Sequence, residues 1–338
     1  MTTRTWIGGT GSFDNPNEWS PGGVPGAGDV AIISIGEATL SMAKLDGFEL
    51  QLQFPASVLD ISDVIFGKHF TLSAPAGAGG TATLNATGFN ANSGLIEIGS
   101  TPSFPPNFSP PFTINMSDLA PSPGCSGARA VFVNTGTIQD VDGQPFSIVA
   151  QSPDALLINN GTIDLAHPFT RVVIGVSVQG SGTITTGENI TPIAGPSADL
   201  QTTVPTLEFG GAVGNGETLS ITQAAYIVID KPSQFHALIE GFAPLPSPTQ
   251  PPPYWYSFYE PSILLENTTV TSYAVSHDVL TLWDGSAVVA QLRFTGFDYS
   301  KDNFLVTATG TATTIQPQGT LEPMGIAAHS AVAAHALG

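Results

Sequence analysis

A short phrase recurs through the middle of the chain: Asn92-Ser-Gly-Leu-Ile96, Asn134-Thr-Gly-Thr-Ile138, Asn160-Gly-Thr-Ile163 and Gly180-Ser-Gly-Thr-Ile184. Its glycines, Gly94, Gly136, Gly161 and Gly182, stand 42, 25 and 21 residues apart. The first gap is twice the last, so the spacing predicts one turn of a coil every 21 to 25 residues. A unit of that length holds one or two short strands that cannot bury an apolar face alone, so neighbouring units must stack. The expected fold is all-β, a parallel β-solenoid with its core between about Val30 and Asp230. The apolar runs Ala130-Val-Phe-Val-Asn134 and Ala155-Leu-Leu-Ile-Asn159 end on Asn, and others end on Gly. Both residue types tolerate the left-handed backbone that a tight corner is expected to need. The Ile after each Gly-Thr then returns the chain to the core. At about 4.8 Å per turn, nine or ten turns make a rod roughly 45 Å long.

Composition agrees with many short strands and narrows the partners. Glycine (37) and proline (28) punctuate runs of Val, Ile, Thr and Phe, while DEKR reach only 10%, against roughly 25% in an ordinary globular protein. The formal charge of -19, from 27 acidic and 8 basic residues, repels phosphate backbones and anionic lipid. Nucleic-acid binding is therefore excluded as a function class, and no apolar run reaches the roughly 18 residues of a membrane span. Cys125 is the single cysteine, so no intrachain disulfide can form. The start, Met1-Thr-Thr-Arg-Thr-Trp-Ile-Gly-Gly9, lacks the apolar core of a cleavable signal peptide.

Four regions follow from the chain's punctuation: a Trp/Gly-rich cap over 1–29, the solenoid over 30–234 with a proline-rich insertion at 100–127, a C-terminal β module over 235–316 with a proline and aromatic loop at 243–261, and a tail over 317–338. The module is expected to be antiparallel, with Asp284-Gly285 as a hairpin signal. The opening, with Trp6, Phe13 and Trp19 set among Gly and Pro, resembles that of bacterial surface proteins and adhesins of the autotransporter-like β-helix type. The segments Ile239-Glu-Gly-Phe242, Leu280-Thr-Leu-Trp-Asp-Gly285, Leu292-Arg-Phe-Thr-Gly-Phe297 and Phe304-Leu-Val306 resemble a module that closes β-solenoids in bacterial secreted proteins. In this chain a proline run stands where that module usually has a Gly-Asp pair. The small, uncharged tail after Ile326 is similar to the uncleaved C-terminal signals of type I secretion. These resemblances imply an extracellular or cell-surface location and carry no catalytic motif.

Candidate chemistry is sparse. There is no Gly-x-Ser-x-Gly elbow, His-Glu-x-x-His, P-loop or Cys-x-x-Cys. His69, His167, His236, His277, His329 and His335 show no metal-ligand spacing, so no metal site is expected from them. Asp140 and Asp142, in Asp140-Val-Asp-Gly143, are the calcium candidates, although the later carboxylates of a calcium loop are missing. Asp140, Asp142 and Asp164 follow the repeated corner on successive turns and would line up if the chain worked on sugars, with Arg129 and Arg171 the nearest cations. Tyr254, Trp255, Tyr256, Phe258 and Tyr259, flanked by prolines, are suited to an interface, because rigid aromatics bury much area at low entropic cost. Trp6 and Trp19 join them as interface candidates. The expectation is a non-enzymatic extracellular structural or adhesive protein that associates with itself, with no cofactor beyond a structural calcium. Its partners would be further copies of the chain or a cell-surface glycan. The alternative is a carbohydrate-active or phage tail-spike-like β-helix.

Overall fold

The structure is a computed structural model that describes residues 2–41, 44–45, 49–67, 69–73, 81–98, 112–118, 129–140, 145–165, 171–186, 205–222, 225–244 and 260–318. Short strands dominate these residues, and none of them lies in an α-helix. The strands stack into three parallel ladders, visited in the same order on every turn. The first ladder runs from Thr3–Trp6 through Val30–Ser41, Leu95–Ile98, Thr137–Asp140 and Thr162–Leu165 to Leu238–Glu240. The second runs from Thr10–Ser12 through Thr81–Thr87, Phe112–Ser117 and Phe146–Ala150 to Ser262–Leu265. The third holds Ile65–Phe66, Phe89–Asn92, Val131–Asn134, Leu156–Asn159 and Ser177–Gly180. Chain and ladders together define a parallel β-solenoid, as the recurring phrase predicts. Ten strands are stacked in each of the first two ladders among the described residues, a rise of about 43 Å at the usual strand spacing.

Register is set by columns of identical or similar residues. Leu50, Phe70, Ile96, Ile138, Ile163, Ile184, Leu219 and Ile239 pair in series up the first ladder, all with buried side chains. Each such side chain contributes on the order of 1.5–3 kcal/mol of burial. Because strand side chains alternate with period two, a one-residue slip would expose the whole column, so the stack is strongly registered.

Ile96 pairs directly with Ile138, which corrects the reading of the 42-residue gap as two turns. It is one turn, lengthened by excursions between ladders. The physical reason is that loop length is nearly free: doubling a loop adds only about 0.6 kcal/mol of closure entropy. The proline-rich stretch is likewise not one insertion. Phe112–Ser117 lies inside it and pairs on both sides, with Thr81–Thr87 and Phe146–Ala150.

At both ends of the rod, further strands pair with terminal ladder strands, although Thr10–Ser12, which opens the second ladder, pairs with Val30–Ser41 alone among the described residues. At the start, Thr3–Trp6 pairs antiparallel with Trp19–Ser20. Trp6 and Trp19 meet edge to face at 5.2 Å, Phe13 and Trp19 at 4.8 Å, and Trp19 Nε1 donates to the Phe13 carbonyl at 2.8 Å. Trp6 and Trp19 are each only 1% exposed, which removes them as interface candidates: they cover the end of the core. Arg4 pairs with Asp29 at 2.9 Å and donates to the carbonyls of Pro21 and Gly22, and the Arg4 contact holds the Asp29 carboxyl down at about 2.

At the other end, Ala287–Thr295 adds in parallel to Leu238–Glu240 and Ala312–Pro317 adds antiparallel to Ser262–Leu265. Phe242, Phe294, Tyr299 and Phe304 pack this joint, with ring centroids 5.0 to 6.3 Å apart, and the Tyr299 hydroxyl donates to the Phe242 carbonyl at 2.9 Å. Burial pushes the Tyr299 phenol well above its ordinary value. Gly285 takes a left-handed φ of 58° in the turn that Asp284-Gly285 signals, while His277 and Asp278, at φ 50° and 61°, form a second two-residue turn that no glycine marks.

Two substitutions test this frame. Phe304→Ala is expected to lower unfolding stability by about 3–5 kcal/mol in urea titrations, because a fully buried ring is lost from the joint. Replacing His277-Asp278 with Asn-Gly is expected to raise it by about 1 kcal/mol, since the turn already has the left-handed backbone that this pair prefers.

Candidate functional site

The corner that carries the recurring phrase is built on side-chain amides. Asn92, Asn134 and Asn159 are in register on the third ladder, point inward and are fully buried. Asn92 Nδ2 donates to Asn134 Oδ1 at 2.9 Å, and Asn134 Nδ2 donates to Asn159 Oδ1 at 2.8 Å. The Asn92 and Asn134 amides also donate to the carbonyls of Thr137 and Thr162, at 3.1 and 3.2 Å. The third repeat of the phrase therefore begins at Asn159 and not at Asn160, which is exposed.

None of these asparagines has a left-handed backbone, nor do Gly94, Gly136, Gly161 and Gly182. At these seven positions the asparagines serve through their side chains and the glycines through close approach, whereas Gly180, at φ 132°, does take the positive-φ backbone that the sequence predicts for the corner. A Cβ on Gly136 would sit 2.0 Å from the Gly94 carbonyl oxygen, and one on Gly161 2.1 Å from that of Gly136.

On the next turn the register position of the asparagines falls to Gly180. Glu217 fills the vacancy: its Oε2 accepts from Asn159 Nδ2 at 3.0 Å, while Oε1 is buried without a hydrogen-bond partner. Burial raises the Glu217 carboxyl above its ordinary value, against the opposing hydrogen bonds from Asn159 and Gly182.

The outward side of the same ladder is apolar. Phe89, Val131 and Leu156 form one column, and Ile65, Ala91, Val133 and Ile158 form the other. Phe89 is 51% and Ile65 37% exposed, Val131, Val133 and Ile158 are half-buried, and Leu156 is buried. A strand covered on one face alternates apolar with polar, whereas continuous apolar runs mark strands covered on both. Val131-Phe-Val133 and Leu156-Leu-Ile158 are such runs. The period-two test could have found this patch in the sequence.

The outer face of the first ladder is mostly polar, and that of the second mixes polar residues with Val58, Val149 and Val173. Thr137, Thr162, Thr183 and Thr218 form a column outside the first ladder. Outside the second, Asn115 donates to Asn85 at 3.2 Å and Asn85 to Asp60 at 2.7 Å, and Asp60 in turn raises the Glu37 carboxyl through a shared hydrogen bond and like charge.

The sequence candidates do not converge. Asp140 pairs in register with Ile98 and is buried, while Asp164 is in register with Gln139 and lies on the outer side of the sheet. The two aspartates face opposite ways because one stands two residues after its corner Ile and the other one residue after. Arg171 reaches Glu208 at 3.5 Å and Arg129 donates to the Asp154 carbonyl, so both cations are engaged elsewhere. Asp142, Cys125 and the cluster Tyr254, Trp255, Tyr256, Phe258 and Tyr259 lie outside the described residues, as do His167, His329 and His335. Among the described residues no three His, Cys, Asp or Glu side chains gather into a metal cluster. No helix there is long and apolar enough to cross a membrane.

No known protein family matches the sequence, and no curated protein matches it significantly.

The end of the amide ladder gives a pH-dependent prediction. The folded state holds the Glu217 proton more tightly than the unfolded chain does. The destabilising charge is thus absent below the ordinary value of 4.5 and grows as pH rises past it. Glu217→Gln keeps an acceptor for Asn159 and removes the charge. It is expected to be more stable than the native chain by about 1 kcal/mol at pH 8, with the difference shrinking toward pH 4 in paired urea titrations.

Proposed function

We propose that the protein is a non-enzymatic extracellular rod of a structural or adhesive kind, whose copies associate side by side through the apolar outer face of the third ladder. The observation that carries this reading is the pair of columns headed by Phe89 and Ile65, apolar residues turned outward on four successive rungs. Exposed apolar patches on a flat surface are interaction sites. Head-to-tail addition is hindered at three of the four terminal strands of the first two ladders, because Trp19–Ser20, Ala287–Thr295 and Ala312–Pro317 already pair with them. Four rungs two residues wide make a small contact, below the roughly 800 Å² per partner of a stable dimer, so association is weak and concentration-dependent. The acidic surface, the scarcity of charge and the resemblance of both ends to bacterial surface proteins support an extracellular setting.

Light scattering over a concentration series tests the reading. The native chain is expected to grow in mass with concentration, and more strongly in about 0.5 M than in 0.02 M salt, because salt screens the mutual repulsion of chains carrying -19. Phe89→Asp combined with Ile158→Asp is expected to leave a monomer with unchanged circular dichroism. A native chain that stays monomeric at every concentration and salt level would sink the proposal.

A further inference from the structure

The third ladder thins toward the C-terminal end of the rod. Ser177–Gly180 is its last four-residue strand among the described residues. The next two turns contribute single bridges, Val178 to Val213 and Val213 to Phe235. Where full strands would have stood there is a groove of about 510 Å³, lined by the glycines Gly180, Gly214 and Gly216 together with Gln179, Asn215, His236 and Arg293. The glycines bring bare backbone to the surface. Arg293 enters from the C-terminal module, where it is in register with Leu238 of the first ladder.

Two cationic or cation-capable groups thus meet in one depression of a strongly acidic chain. The other described arginines are committed within the fold: Arg4 to Asp29, Arg171 to Glu208 and Arg129 to the Asp154 carbonyl. Lys301 sits over the Tyr273 ring at 5.1 Å. Arg293 is exposed and has no ion pair among the described residues. The groove is therefore prepared for an anion, and its size falls within the range of small-ligand sites and far above what one phosphate or sulfate fills. Gln179 and Asn215 can each donate and accept, which suits hydroxyl groups. A polyanion would feel the repulsion of the whole molecule, whereas a unit with one carboxylate and several hydroxyls keeps the local contact and suffers least from that field.

We propose that this groove binds a carboxylate-bearing sugar, a single uronic acid unit within an otherwise neutral glycan. Arg293 grips the carboxylate through its planar fork, and the Gln179 and Asn215 amides meet the ring hydroxyls. The site lies past the last apolar rungs of the third ladder, so its occupancy does not depend on self-association.

Calorimetric titration of the full chain carrying the Phe89→Asp and Ile158→Asp changes keeps the two proposals separable, and the native chain is titrated alongside. The probes are an acidic trimer made of two galactose units and one terminal galacturonic acid, the neutral galactose trimer and inorganic phosphate. The acidic trimer is expected to bind one per chain and at least about tenfold more tightly than the neutral one. Arg293→Ala is expected to weaken it by about tenfold or more, with Arg293→Lys intermediate because the bidentate fork is lost while the charge stays. Unchanged thermal unfolding of these surface variants confirms that they fold. No binding of the acidic trimer up to about 10 mM, which corresponds to less than about 2.7 kcal/mol of affinity, would overturn the proposal. So would an Arg293→Ala variant that binds as the native chain does, or phosphate binding as tightly as the sugar.

Discussion

The close approach of successive turns at one corner governs the rest of this fold. The Asn92, Asn134 and Asn159 amides bond one to the next at 2.8–2.9 Å while the adjoining glycines stack without room for a Cβ. These two contacts act on the same spacing. An amide ladder fixes neighbouring turns at strand distance, and it satisfies buried polar groups whose isolation would cost on the order of 1–3 kcal/mol each. With the corner fixed, Ile138, Ile163 and Ile184 are held in one column, and the excursions between ladders can vary in length without disturbing the register.

The same corner explains where regularity fails. At Gly180 the amide series has no side chain to continue it, and Glu217 reaches in from the following turn. From that point the third ladder shrinks to the single bridges of Val213 and Phe235. The carboxylate that replaces an amide and the groove that holds Arg293 are thus consequences of one event, the end of the asparagine repeat. A carboxylate is a poorer terminus than an amide, since it accepts from Asn159 but leaves one buried oxygen without a donor.

Much of the architecture was legible because strand pairing writes itself into spacing. The Gly-Thr-Ile corner located the first ladder, and the Trp and Phe residues at the two ends signalled closure. Phe112-Thr-Ile-Asn-Met-Ser117 was hidden by the prolines around it, although its alternation of buried and half-exposed residues is that of an ordinary ladder strand. Turn length misleads between Ile96 and Ile138, which pair directly across 42 residues, because an entropically cheap excursion leaves no mark on the pairing. The carboxylates misled for a different reason. Asp140 and Asp164 look equivalent by corner, but a one-residue offset in a period-two element puts them on opposite sides of the sheet. The groove was beyond reach of pattern reading, since Gln179, Asn215, His236 and Arg293 come from four separate stretches of chain.

End pairing and an apolar flank belong to one design problem. A parallel solenoid offers unpaired backbone groups at both ends, and uncontrolled pairing there would give unlimited growth along the axis. Here the first and second ladders receive their last partners from the chain itself, through strands whose joint is filled by Phe242, Phe294 and Phe304. Among the described residues, Phe89 and the column beside it are left uncovered laterally, on a sheet whose inner side is locked by the asparagine amides. A surface backed in that way cannot deform to bury its own apolar residues. Contact with another surface is the remaining way to remove them from water, and the height of the patch sets how strong that contact can be.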